Sequence, residues 1–157
     1  MARRRARELA FQALFQAERG GSPLLEAWAD LRADLASEPD DDADAEAVGA
    51  AAHEPGFGVG DLAFADRLVT ALAADKPTID ATLEELVEGW TFGQMAQTDL
   101  NVLRLAMAEL ALAETPPAVA VEMAVRLAKR FGGEDSGRFV NGVLAKVLRR
   151  TAVAEEV

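Results

Sequence analysis

Residues 127–150, LAKRFGGEDSGRFVNGVLAKVLRR, decide how the chain is read. Leu127, Ala128 and Phe131 end one apolar run, Gly132-Gly133 interrupts it, and Phe139, Val140, Val143, Leu144, Val147 and Leu148 resume at steps of one, three and four. That spacing lines one face of an α-helix, and a glycine pair is the punctuation that ends one. The stretch is therefore two helices joined by a tight turn, the second opening at Asp135-Ser136. Asn141-Gly142 imitates a hairpin turn, but the apolar residues on both sides keep the helical period. These small residues are read as lying inside the helix, where they would admit the close approach of another backbone.

The same stretch carries charge where a ligand could use it. Lys129 and Arg130 end the first helix, and the start of the second offers backbone N–H groups that can hold a phosphate. Arg138 and Phe139 then pair a cation with a ring that either stacks a base or joins the core beside Val140.

Working outward, the helical pattern continues through the rest of the chain. Ala6, Leu9, Ala10, Ala13, Leu14 and Ala17 make the stripe of a first helix over 3–18, closed by Gly20-Gly21. Ser22 and Pro23 open a second, with Leu24, Trp28, Leu31 and Leu35, that ends near Ser37. Asp61 caps a third with Ala65, Leu68, Val69 and Leu72, which is expected to stop before Pro77, and a fourth carries Ile79, Leu83, Leu86 and Val87 up to Gly89-Trp90. Thr98-Asp99 starts an apolar helix through Val102, Leu103, Leu105, Ala106, Glu109 and Leu110, stopped by Pro116-Pro117. A further stripe comprises Val121, Ala124, Leu127, Ala128 and Phe131. The expectation is an all-α, compact bundle of about seven helices, one domain over 1–150 with a tail at 151–157. Residues 38–60, with seven acids and two prolines and few large apolar side chains, read as a flexible acidic insert.

Composition narrows the function. The 157 residues hold 16 Lys+Arg against 27 Asp+Glu, a net charge of -11. The cations are segregated: residues 1–19 are net +3 and residues 116–157 net +2, whereas 20–60 sum to -9 and 61–115 to -7. Basic ends on an acidic chain suggest a polyanion held on one face and repelled elsewhere. Arg3, Arg4, Arg5 and Arg7 also sit at a helix N-terminus, where each cation opposes the helix dipole by a few tenths of a kcal/mol. A sequence that carries this cost has an external use for the charges, and the competing reading is a solvated flank. Cysteine is absent, which removes disulfides and thiolate chemistry. No run approaches the roughly 18 apolar residues of a membrane span, and Glu8, Gln12 and Gln16 break what an export signal would keep apolar. The chain reads as soluble and cytoplasmic.

Nothing organises a catalytic centre. His53, the only histidine, lies in the acidic insert without further imidazole or thiol ligands. Asp40, Asp42 and Asp44 open like a calcium loop, but Ala45 and Ala51 occupy the positions that need Gly and Glu. Gly56, Gly58 and Gly60 lack the preceding strand and following Lys-Ser/Thr of a phosphate loop. No enzyme activity, cofactor or metal is expected.

RRRARELAFQAL (3–14), VLRLAMAEL (102–110), AVEMAVRLAKRFGGEDS (120–136) after a Pro-Pro link, and RFVNGVLAKV (138–147) together resemble the NusB family of bacterial transcription antitermination factors. The resemblance implies a helical domain that binds single-stranded boxA RNA with NusE, a small-subunit ribosomal protein, and joins an RNA polymerase antitermination complex acting notably on ribosomal RNA operons. Carried onto matching positions, it implies RNA contacts by Arg3, Arg4, Arg5, Arg7, Lys129, Arg130, Asp135, Arg138 and Phe139, and contacts to the protein partner by Phe15 and Asp99. Phe15 also lies with Phe11 off the Ala/Leu stripe of the first helix, as a second core edge or an exposed contact. The acidic insert is longer than the family's usual connection, and Ala145 stands where the family more often has an acid. Two competing readings are a protein-binding helical adaptor and the RNA-recognition domain of a ribosomal RNA methyltransferase fragment. The sequence is compatible with a monomer and with a homodimer.

Overall fold

The computed structural model describes residues 3–37, 59–87 and 92–156; residues 38–58 of the expected insert, His53 among them, and Gly89 and Trp90 lie outside these, whereas Val59 and Gly60, expected in the insert, are already helical. Among the described residues six α-helices run in the order α1 (Arg4–Gly20), α2 (Leu24–Ser37), α3 (Val59–Leu86), α4 (Gln97–Leu112), α5 (Pro117–Gly132) and α6 (Glu134–Glu156), with a 3-10 turn at Phe92–Gln94 before α4. No strand occurs among the described residues.

Among the described residues the helices number six instead of about seven, because the two expected on either side of Pro77 are one, α3, with Pro77 inside it. Proline removes a backbone donor and crowds the preceding turn, at a cost of about 3 kcal/mol in a helix interior. Here Pro77 lies on the exposed side, where water can reach the freed carbonyl. Leu68, Val69, Leu72, Ile79 and Leu83, all buried, carry the apolar stripe past it. Burying a large aliphatic side chain contributes about 1.5–3 kcal/mol, so two or three of them offset the proline.

Contacts divide the chain into two compact units, residues 1–69 and 70–157. In the first, α1 packs on α2. The expected stripe of α1 is buried throughout, and Phe11, off that stripe, is buried as well. Trp28 is buried with its indole N–H donating to Asp66 Oδ1 at 3.0 Å, which satisfies the polar edge of an otherwise apolar side chain.

In the second unit α5 packs on α6, and α4 packs on both. Leu83, Leu103, Leu144 and Val140 are fully enclosed. A buried arginine ties α4 to α3: Arg104 Nε donates to Asp80 Oδ1 at 2.8 Å and Nη2 to Oδ2 at 3.2 Å. Its Nη1 reaches Asn101 Oδ1 at 3.3 Å, which also accepts from Gln97. This two-pronged geometry matches the guanidinium fork to the carboxylate. Helix α4 ends at Ala113 in the left-handed region, φ 55°, with its N–H shared between Glu109 O and Leu110 O. Phe131, expected on the buried stripe of α5, is instead 48% exposed, with the Arg130 guanidinium 5.3 Å from its ring centre.

Candidate nucleic-acid interface

The α5–α6 turn owes its shape to two glycines. Gly133 has φ 90°, a backbone state that side-chain-bearing residues avoid. Gly132 is closely approached: a Cβ there would run into Ser136 Oγ and stand 2.7 Å from Ser136 Cβ. Ser136 Oγ donates to the Gly132 carbonyl at 3.1 Å and so clasps the turn.

Around this turn the expected residues come together. The stem of Lys129 lies against Gly137 of α6, since a Cβ at Gly137 would be 2.5 Å from Lys129 Cγ. This brings the α5 ammonium beside the opening of α6, where Lys129 Nζ is 3.9 Å from Glu134 and Arg138 is 3.6 Å from Asp135. Lys129, Arg130, Asp135 and Arg138 are all exposed. Such solvent-facing pairs contribute little to stability and remain available to exchange partners.

Phe139 is half-buried and lines an open groove of about 250 Å³ with Leu86, Val87, Gly142, Val143 and Lys146. Lys146 Nζ donates to Leu86 O at 3.4 Å. The side chain is thus neither enclosed in the core nor fully open to solvent. Gly142 does not admit another backbone as expected: nothing lies within 4 Å of where its Cβ would be. Its missing side chain leaves the groove floor open. A second groove, about 370 Å³, is lined by Val121, Glu122, Val125, Arg126, Lys129 and Asn141.

The N-terminal arginines form two groups within their own unit. Arg4 and Arg5 are exposed and both turn to Glu8, at 3.4 and 3.5 Å. Arg3 is half-buried, its guanidinium carbon 4.2 Å from the centre of the Phe64 ring. Arg7 is only 5% exposed, 5.7 Å from the same centre, and Arg67 completes the set at 5.8 Å. A ring face attracts a cation by about 0.5–1 kcal/mol at exposed sites. Sequence reasoning missed Phe64 and Arg67, although their i,i+3 spacing on an amphipathic helix was a usable signal.

Phe15 is half-buried, edge-on to Phe11 with ring centres 4.9 Å apart. Asp99, in the first turn of α4, is half-buried, and its Oδ1 is enclosed without a hydrogen-bond partner. Among the described residues no helix is long and apolar enough to cross a membrane, and no three His, Cys, Asp or Glu gather as a metal cluster would require.

The sequence model of the NusB family matches residues 4–149, through both units. The chain belongs to the NusB family. It is 47% identical over 153 residues to the transcription antitermination protein NusB of Thermus thermophilus, covering 98% of this chain and 94% of that one. Among solved structures it is similar to T. maritima NusB, with TM-score 0.73 and 28% identity over 94% of this chain and 90% of that one. It shares its fold with a chain from a complex of antitermination factors NusB and NusE with double-stranded RNA, at TM-score 0.73, 24% identity, and coverage of 96% and 99%. The all-helical NusB fold read from the sequence is therefore the fold observed, with six helices among the described residues.

Proposed function

We propose that this chain is a transcription antitermination factor that binds single-stranded boxA RNA together with ribosomal protein NusE, in the cytoplasm, and supports processive transcription of ribosomal RNA operons. The observation that carries this reading is its 47% identity, along nearly its whole length, to the Thermus protein of that name. The surface chemistry supports docking without turnover. Exposed Arg4 and Arg5 in one unit, and Lys129, Arg130 and Arg138 in the other, supply phosphate attraction on a chain that is otherwise acidic. Phe139 offers a half-open ring for stacking, and Asp135 an acceptor for base-edge donors.

Phe15 and Asp99 are assigned to NusE. The enclosed, unpartnered oxygen of Asp99 is a group that a donor from an arriving protein would satisfy. The experiment is binding of purified protein to a labelled boxA RNA across a salt series, with and without NusE. Binding that weakens with salt and strengthens with NusE supports the reading; no RNA binding in either condition rejects it in favour of a protein adaptor.

A further inference from the structure

Of the three guanidiniums gathered at Phe64, that of Arg67 is not among the residues carried over from the family. Arg3 lies in the backbone turn just before α1, Arg7 sits one turn into α1, and Arg67 on α3, yet all three lie within 5.8 Å of one ring centre. No two of them can then be more than about 12 Å apart. Phe64 itself is 1% exposed, so it is a fixed platform. Arg67 is exposed, Arg3 half-buried and Arg7 buried, a gradation that leaves the outer two able to reach a ligand.

A guanidinium beside a ring keeps its N–H groups in a fixed fork, and a fork is the geometry that suits phosphate oxygens. Like charges held in one place by an apolar platform favour a shared anion, because one phosphate lowers the repulsion among all of them.

We infer that Arg67 is an RNA-binding residue, which with Arg3 holds one backbone phosphate of the RNA beside Phe64, and that buried Arg7 is a positioning residue for that pair. This rests on the RNA-binding reading above. The contact is to phosphate, so it attracts every sequence equally. Each phosphate neutralised on a single strand contributes a factor that varies as salt to the power of about -0.7. Loss of one contact then weakens binding about eight-fold at 50 mM salt, and the wild-type advantage shrinks about 2.6-fold for each four-fold rise in salt.

The test measures Kd for a boxA RNA and a scrambled RNA of equal length, from 50 to 400 mM salt, for wild type, Arg67→Ala, Arg67→Gln, Arg67→Lys and Arg19→Ala. Arg19 is an exposed arginine at the far end of α1 and serves as control. The expected result is an equal loss on both RNAs for Arg67→Ala and Arg67→Gln, a salt slope smaller by about 0.7, recovery of slope in Arg67→Lys, and no change in Arg19→Ala. Circular dichroism establishes that each variant is folded. Wild-type binding with an unchanged slope in Arg67→Ala and Arg67→Gln overturns the Arg67 assignment alone. Absence of wild-type RNA binding overturns the RNA reading and this assignment with it.

Discussion

Gly132→Ala tests the geometry of the α5–α6 turn. Replacing a helical glycine by alanine ordinarily stabilises by up to about 1 kcal/mol. Here the added methyl meets Ser136 Oγ, lies 2.7 Å from Ser136 Cβ and 3.4 Å from Thr98 Cγ2. Ser136 is 9% exposed, and its side chain is too short to swing its Cβ away. Overpacking of this kind costs about 1–3 kcal/mol, and losing the 3.1 Å bond from Ser136 Oγ to Gly132 O adds about 0.5–1.5 kcal/mol. The clash outweighs the propensity gain, leaving a net loss of about 2 kcal/mol. For a chain of this size that lowers Tm by roughly 4–8 °C, readable as helical ellipticity against temperature. The cause is checked by Ser136→Gly. Combined with Gly132→Ala, it removes both clashing atoms and should recover more than 1 kcal/mol beyond the sum of the single effects. If Gly132→Ala melts at or above wild type, or the two changes simply add, the close approach is not what constrains this position.

Three further outcomes follow from other sites. Ala113→Gly should raise stability by about 0.5–1 kcal/mol in thermal melts, because φ 55° is strained for alanine and free for glycine, less the larger unfolded-state entropy of glycine. Arg104→Ala should destabilise by about 2–4 kcal/mol in urea titrations, since it strands Asp80, while Arg104→Lys, which keeps the charge and loses the fork, should cost less; equal losses would show that the two-pronged contact is irrelevant. Phe15→Ala or Asp99→Arg should weaken NusE capture at least ten-fold, with RNA affinity in the absence of NusE retained. A NusE complex undisturbed by both substitutions rejects both assignments.

The chain's helices and most of its core were legible from residue order alone. Hydrogen bonds in an α-helix are local, so a 3.6-residue stripe such as Ala6 to Ala17 states both the element and its buried face, and Gly21 and Gly133 state where elements end. The segregation of cations to the two ends was equally a property of the sequence, as were Lys129, Arg130 and Arg138, exposed as expected. What required tertiary structure was every property set by a neighbour distant in the chain. Periodicity says that a face is apolar, not what covers it, and so it assigned Phe131 to the core that leaves it exposed. Arg7 has the chemistry of a surface residue, yet it is buried, with the ring of Phe64, more than fifty residues away, beside it. Pro77 stops an isolated helix, yet its propensity penalty is a few kcal/mol and the burial of Leu72, Ile79 and Leu83 around it is worth more. Local rules are decisive where the energies are local; where packing contributes more than propensity, the fold overrides them.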